Sequence, residues 1–288
     1  MRSLIYVCDG KTYDRNDEKF DCLICFSDVA AEELEEECYY HLREFEAYIG
    51  AARPKRIRIK FETQEELAYL VDQICAFVVS LELIAKHSRS FDLTPLERCG
   101  ALVSVEMYWN TKQERLWDVK KNGSLKHFSL VDYYKVADLS VFAGSGVEEL
   151  QLLGCNGFSS FSSKMHVKDL SFLKEMPHLR TLHLDVIKDE ESAYYLELLA
   201  ACRGVTELFI PHHFFTFGQF AWLKAHMPQV ERGLEGVFRG EDFFGVLGKG
   251  MPKALEDAKK AERYQEKYDA LVKKYQKQPH PPTEAEKG

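Results

Sequence analysis

Six residues in the order apolar-x-x-apolar-x-apolar recur along this chain at a nearly constant spacing, and such a period restricts the fold more than any single motif does. The fullest copy is VEELQLLGCN, residues 147–156, with Val147, Leu150 and Leu152 in frame. The frame returns as VVSLEL (Val78, Leu81, Leu83), LVSVEM (Leu102, Val105, Met107) and LKHFSL (Leu125, Phe128, Leu130). Two later copies are LRTLHL (Leu179, Leu182, Leu184) and VTELFI (Val205, Leu208, Ile210). A degenerate copy, PKRIRI, holds Ile57 and Ile59 behind Pro54. Counted from Pro54, the copies start 24, 24, 23, 22, 32 and 26 residues apart. The one long interval contains GFSSFSSKMH, residues 157–166, which reads as a loop insertion. Alternation within each copy predicts a short strand with one buried face.

Punctuation repeats with the frame. Gly100, Gly123, Gly146, Pro177, Gly204 and Pro228 precede the later strands by one or two residues. Short amphipathic stretches lie before those breakers. TQEELAYLVDQI opens with a capping box, Thr63 to Glu66, and sets Leu67, Leu70, Val71 and Ile74 on one helical face. TPLE places Pro95 at a first helical position between Thr94 and Glu97. DLSFLKEMP and FGQFAWLKAHMP both end in Met-Pro. The predicted unit is strand, loop, short helix, breaker.

On these residues the chain resembles the leucine-rich repeat family, over roughly residues 54–235. VEELQLLGCN and LVSVEMYWN match the family frame L-x-x-L-x-L-x-x-C/N, the second ending at Asn110. Tyr133, Ile187 and His213 stand at the Asn place in other copies, so the resemblance is to an irregular member without a complete asparagine ladder. It implies an α/β solenoid: a concave parallel sheet, short helices on the convex back, an N-terminal α/β cap and a C-terminal helix. A doubly wound α/β domain is the alternative, since it too alternates strands with helices.

The implied boundaries are 1–52 for the cap, 53–245 for the solenoid, 246–278 for a C-terminal helix and 279–288 for a disordered tail. In the cap, LIYVC and CLICF read as strands, and Asp28 opens a helix to about Ile49 with Leu34, Cys38, Leu42, Phe45 and Ile49 buried. Solenoid ends expose their core unless covered, which is the role expected of both flanks. VERGLEGVF keeps Val230 but puts Gly233 where Leu is expected, so the frame decays there. A helix from Pro252 to about Gln276 carries Leu255, Ala258, Ala261, Tyr268, Leu271 and Tyr275 as an apolar stripe, to cap the solenoid or to pair with a second copy. The tail PHPPTEAEKG has little to bury.

Charge and targeting limit the function. The formal net charge of −8 resides entirely in residues 1–50, with 13 Asp/Glu against 5 Lys/Arg; the rest sums to zero. Nucleic-acid binding needs a basic surface, and none is expected. RSLIYVCDGKTYDR is broken by Asp9 and Lys11, so no signal peptide is expected. No stretch approaches the ~20 apolar residues of a membrane span. The eight cysteines are dispersed, most of them in apolar contexts (Cys75, Cys99, Cys155, Cys202), which fits a cytoplasmic chain; secretion with disulfides is the alternative.

Candidate chemistry is sparse. Cys22 and Cys25 have C-x-x-C spacing but lack a second pair for zinc, and on a strand they face opposite ways. His212 and His213 are adjacent and diverge on an extended backbone. GVLGKG lacks the Ser/Thr and preceding strand of a phosphate loop and reads as a closing turn. No catalytic residue, cofactor or metal ligand is therefore expected. Binding remains. The side chains flanking the buried pair of each copy point away from the core, and among them and their neighbours Arg58, Lys60, Glu82, Glu106, Tyr108, Trp109, Gln151, His183 and Phe209 are the expected partner-binding residues. The expected function is non-catalytic protein–protein interaction, in an inhibitor, immunity-type or scaffold role; an enzyme presenting substrate on the solenoid is the alternative. Arg56, Arg58 and Lys60 are expected to form a basic end that meets acidic groups of the partner.

Overall fold

A computed structural model describes residues 4–9, 20–27, 39–85, 89–108, 110, 112–154, 165–167, 169–188, 191–240, 243–248 and 257–283. Each copy of the frame lies on a strand: β4 (Arg56–Phe61), β5 (Ser80–Ala85), β6 (Ser104–Tyr108), β7 (His127–Val131), β8 (Glu149–Leu153), β10 (Thr181–Leu184) and β12 (Glu207–Phe209). These pair in parallel, each with the strand of the preceding copy. The pairing holds one register throughout. Ile57, Leu81, Val105, Phe128, Leu150, Leu182 and Leu208 form one cross-strand row, and Ile59, Leu83, Met107, Leu130, Leu152 and Leu184 a second. All are at most 2% exposed. The first apolar position of the frame is buried as well, from Val78 to Val205. A one-residue slip would turn every row to solvent, so burial itself enforces the register.

The N-terminal segment continues this sheet. β1 (Leu4–Asp9) pairs antiparallel with β2 (Cys22–Ser27) and with β3 (Tyr39–His41), and β2 joins β4 in parallel. The result is a mixed α/β fold with a ten-stranded, mostly parallel sheet in the order β12-β10-β8-β7-β6-β5-β4-β2-β1-β3. Two short pairs stand apart from it, β9 (Met165–His166) with β11 (Val186–Ile187), and β13 (Val237–Arg239) with β14 (Phe244–Val246).

The long helix expected from Asp28 is shorter. Residues 39–41 extend along β1, and α1 runs over Leu42–Ala52 with Phe45 and Ile49 buried. Leu34, Cys38 and the acidic run lie outside the described residues. Pairing with an open strand edge outweighs the helical pattern of YYH.

The connections also differ from expectation. α2 (Gln64–Ile74), α3 (Ser192–Ala201) and α4 (Phe217–His226) are α-helices, but 94–98, 119–121, 140–142 and 171–175 are single 3-10 turns. Interval length is not the reason, since α2 fits within a 24-residue interval and 171–175 is a 3-10 segment within the 32-residue one. The backbone groups of the 3-10 turns are satisfied in part by side chains. Asn122 donates to Leu96 O and Cys99 O and accepts from the Trp117 indole. Asn110, at the family's Asn place, donates to Arg89 O of the neighbouring turn and accepts from the Lys112 and Gln113 amides.

At the C-terminal end the frame decays for a visible reason. Gly233 adopts φ +98°, and a Cβ there would lie 1.9 Å from Leu208 O. No Leu fits; Leu234 fills the core instead. The strand shrinks to one bridge, Glu207 with Arg232. α5 (Ala258–Tyr275) then lies on α4, burying Ala261, Tyr268 and Tyr275. The Tyr268 hydroxyl donates to Phe220 O and Leu234 O, both at 3.0 Å. Of the stripe expected on this helix, Leu255 lies outside the described residues. The tail does not behave as expected over 279–283: Pro282 is buried and its carbonyl accepts from Gln219 Nε2 at 3.2 Å. Two buried polar groups of α4, Gln219 and the Trp222 indole, need acceptors, and carbonyls of Pro282 and Gln278 supply them.

Candidate functional site: the open face of the sheet

Outward side chains form rows as regular as those of the core. The middle row reads Arg58, Glu82, Glu106, Ser129, Gln151, His183, Phe209. A second row, toward the strand starts, reads Arg56, Ser80, Ser104, His127, Glu149, Thr181, Glu207. A third reads Lys60, Ile84, Tyr108, Val131, Leu153. Most of these side chains are half-buried by one another. Of the nine residues nominated from sequence, six occupy the middle row, Lys60 and Tyr108 the third, and Trp109 lies outside the described residues.

The N-terminal end of this face is closed by its own chain. Arg58 lies 4.0 Å above the Phe20 ring and grips Glu82 with two nitrogens, Nε–Oε1 at 2.7 Å and Nη2–Oε2 at 2.9 Å. Arg56 reaches Asp21 at 2.9 Å, and Asp21 also accepts the amides of Lys55 and Arg56. Both guanidiniums therefore already hold carboxylates. At Arg58 and Arg56 the expected basic end is neutralised within the chain, by Glu82 of the next strand and by Asp21, which β2 brings beside β4. Sequence distance hid this contact.

Further along, neutral donors position acids. The Tyr108 hydroxyl donates to Glu106 at 2.5 Å, and Gln151 Nε2 donates to Glu149 at 2.5 Å. His127 Nδ1 stands 3.0 Å from the second Glu149 oxygen. Burial raises the Glu149 pKa, but the bonds from Gln151 and His127 outweigh it and hold the carboxyl below its ordinary value. Burial also pushes the Tyr108 phenol well up, helped by its bond to Glu106, so it donates and does not ionise at neutral pH.

His183 stacks on Phe209 at 4.4 Å, and Arg232 lies 5.6 Å over Phe209 while bonding Glu207. This end of the face opens into a cleft of about 1040 Å³ lined by His183, Asp185, Phe209, His212, Phe238 and Arg239, among others. A shallower concavity of about 380 Å³ lies over Glu106, Tyr108, Ser129, Glu149 and Gln151. Leu153 lines both. The wall from β13 was not foreseen. Its only sequence signal was the loss of the frame at Gly233.

Burial lowers the His183 pKa, and the carboxylates of Glu149 and Glu207 only partly offset this. The folded chain therefore takes up this proton at lower pH than the unfolded chain, whose His titrates near 6.5. The unfolded state binds more protons in that window, so stability falls as pH drops below about 6.5 toward the folded value. His183→Gln is expected to flatten the dependence of the urea midpoint between about pH 7 and pH 5 relative to wild type; an unchanged slope would show that His183 does not contribute.

The remaining nominated chemistry is quiet. Among the described residues, no group of three His, Cys, Asp or Glu side chains stands to hold a metal ion. The His212 and His213 rings lie 5.2 Å apart at 76°. Cys22, Cys25, Cys75, Cys99 and Cys202 form no disulfide, and burial pushes Cys99 up to about 12 and Cys202 to about 11. Gly248, in the expected closing turn, has φ +70° and donates its amide to His212 O. No helix among the described residues is long and apolar enough to cross a membrane. No protein-family model matches the chain, and no curated protein matches it significantly.

Proposed function

We propose that this chain is a leucine-rich-repeat-like solenoid that binds a partner protein on the open face of its parallel sheet, without catalysis, in an inhibitor, immunity-type or scaffold role. Sequential strand order and a 22–26 residue period support the solenoid, apart from one insertion. A doubly wound sheet is covered on both faces and its strands read as continuous apolar runs. Here the strands alternate, with one row set fully buried and the other half-exposed, apart from β7, where the outward Ser129 is buried as well. That open, in-register face, with Ile84, Tyr108, Val131 and Leu153 among polar side chains, carries the binding reading. Packing of α5 on α4 of its own chain supports a capping role over a dimeric one.

Affinity capture from the source cell tests this. Wild-type chain is expected to retain a protein, and Tyr108→Ala or Phe209→Ala to speed its dissociation by about tenfold to a hundredfold, as at an aromatic anchor. A partner indifferent to both substitutions, or turnover of a small molecule without any partner, would defeat the proposal.

A further inference from the structure

We infer that the larger cleft, at the C-terminal end of the open face, is a socket for an uncharged aromatic side chain of the partner; this rests on the binding function proposed above. The floor of the cleft is the end of the face itself. His183 and Phe209 are register partners on adjacent strands, stacked at 4.4 Å with 26° between their planes. Rings stacked from strand to strand turn their edges, not their faces, away from the sheet. Ring edges carry the positive part of the aromatic quadrupole and receive the face of another ring. Burial keeps the His183 imidazole uncharged at neutral pH, so the pair is an aromatic platform and not a cation. Ile210, Pro211 and Leu247 add apolar surface to the lining.

The wall from β13 and β14 is held in place by the rest of the chain. A Cβ on Gly245 would lie 2.1 Å from Phe238 Cζ, so the Phe238 ring lies across that glycine where it lines the cleft. A Cβ on Gly236 would lie 2.3 Å from Tyr268 Cγ, so α5 packs directly on the backbone before β13, and the Val237 amide donates to Gln265 Oε1 at 3.1 Å. The Gly248 amide donates to His212 O at 2.7 Å, which ties the end of β14 to the turn after β12. A wall held at Val237 and at Gly248 has little freedom to lose on binding. Charges of both signs line the cleft, Asp185 and Glu235 with Arg232 and Arg239. Arg232 bonds Glu207, and Glu235 accepts the Gly233 amide. Such a mixture complements a neutral ring with a polar atom at its edge, as in Trp or Tyr, and favours an ion of neither sign. His183 and Phe209 belong to the middle row, and Leu153 lines both concavities, so a segment lying on the face brings a side chain to the cleft without leaving the surface. That continuity favours a group carried by the partner over a free ligand.

Titration of the full chain with N-acetyl-tryptophanamide, followed by NMR, tests the inference. Saturable binding with a millimolar or lower Kd is expected. N-acetyl-leucinamide should bind at least about threefold more weakly, and Phe209→Ala and Phe238→Ala should each weaken the tryptophan amide about threefold to tenfold. Tyr48→Ala, on α1 at the other end of the sheet, should leave it unchanged. Absence of saturation, equal affinity for the leucine amide, or equal losses at Tyr48 and Phe238 would overturn the inference. Tighter binding of the tryptamine cation or the indole-3-propionate anion would mark an ionic site and overturn it as well. If a captured partner is still released by Tyr108→Ala, those failures leave the face a binding surface. A small aromatic molecule retained by the chain purified from its source, with no protein captured, would overturn both readings. If Phe238→Ala lacks a cooperative thermal transition, Phe238→Leu is used with the same criteria.

Discussion

Replacing Leu150 or Leu152 with Ala is expected to lower the free energy of unfolding by about 2–5 kcal/mol each. Both are fully buried on an interior strand of the sheet, Leu150 between Phe128 and Leu182, and Leu152 between Leu130 and Leu184. Neighbouring strands on either side hold the backbone in place, so the cavity cannot collapse, and the upper part of that range applies. Gln151, between the two on the chain, faces outward. Its replacement by Ala should change stability by no more than about 1 kcal/mol, through loss of its bond to Glu149. Urea denaturation with an unchanged m-value measures both. Losses under about 1 kcal/mol at the two leucines, or a loss at Gln151 that equals theirs, would refute the register. Trp117, packed on Phe128, and Trp222, on α4, report the middle and the C-terminal end separately. Repeat architectures unfold as coupled neighbours, so the two signals need not coincide.

Deleting residues 251–288 is expected to have the largest effect of any change at the termini. α5 covers Phe217, stacking edge-on with Tyr264 and Tyr268, and its Tyr268 hydroxyl satisfies carbonyls of Phe220 and Leu234. Without it, Phe217, Phe220 and Trp222 meet water as a contiguous apolar patch. The truncated chain should aggregate or lose its thermal transition. The short deletion of 279–288 should not be silent, although composition alone marks it as a dispensable tail. It removes the carbonyl that accepts from the buried Gln219 amide, and an unpaired buried group costs about 1–3 kcal/mol. Differential scanning calorimetry separates the cases. A short deletion that melts like wild type would show that Pro282 contributes nothing. A long deletion that stays soluble and melts like the short one would show that α5 is not a cap; a halved mass in solution would make it a dimer element.

The periodic part of the molecule was legible from the amino-acid order because it is local. Alternation within six residues decides which side chains share a strand face, and recurrence every 22–26 residues decides that successive strands stack in one register. Leu81, Leu150 and Leu182 could thus be assigned to a common core, and Glu106, Gln151 and His183 to the opposite face, from pattern alone. Three features were decided only by tertiary contacts. Most turns between strands became 3-10 and not α-helical, which the residues at 94–98 and 171–175 do not announce. Arg56 lost its role as a free cation because β2 carries Asp21 to the edge of β4, a pairing made by strands more than thirty residues apart. The cleft acquired its far wall because Gly233 lets the chain pass close to Leu208 and return as β13 and β14. Row membership depends on the parity of a residue within its own strand, and sequence carries parity. Pairing of charges and closure of clefts depend on which distant segments meet, and only the folded chain brings them together.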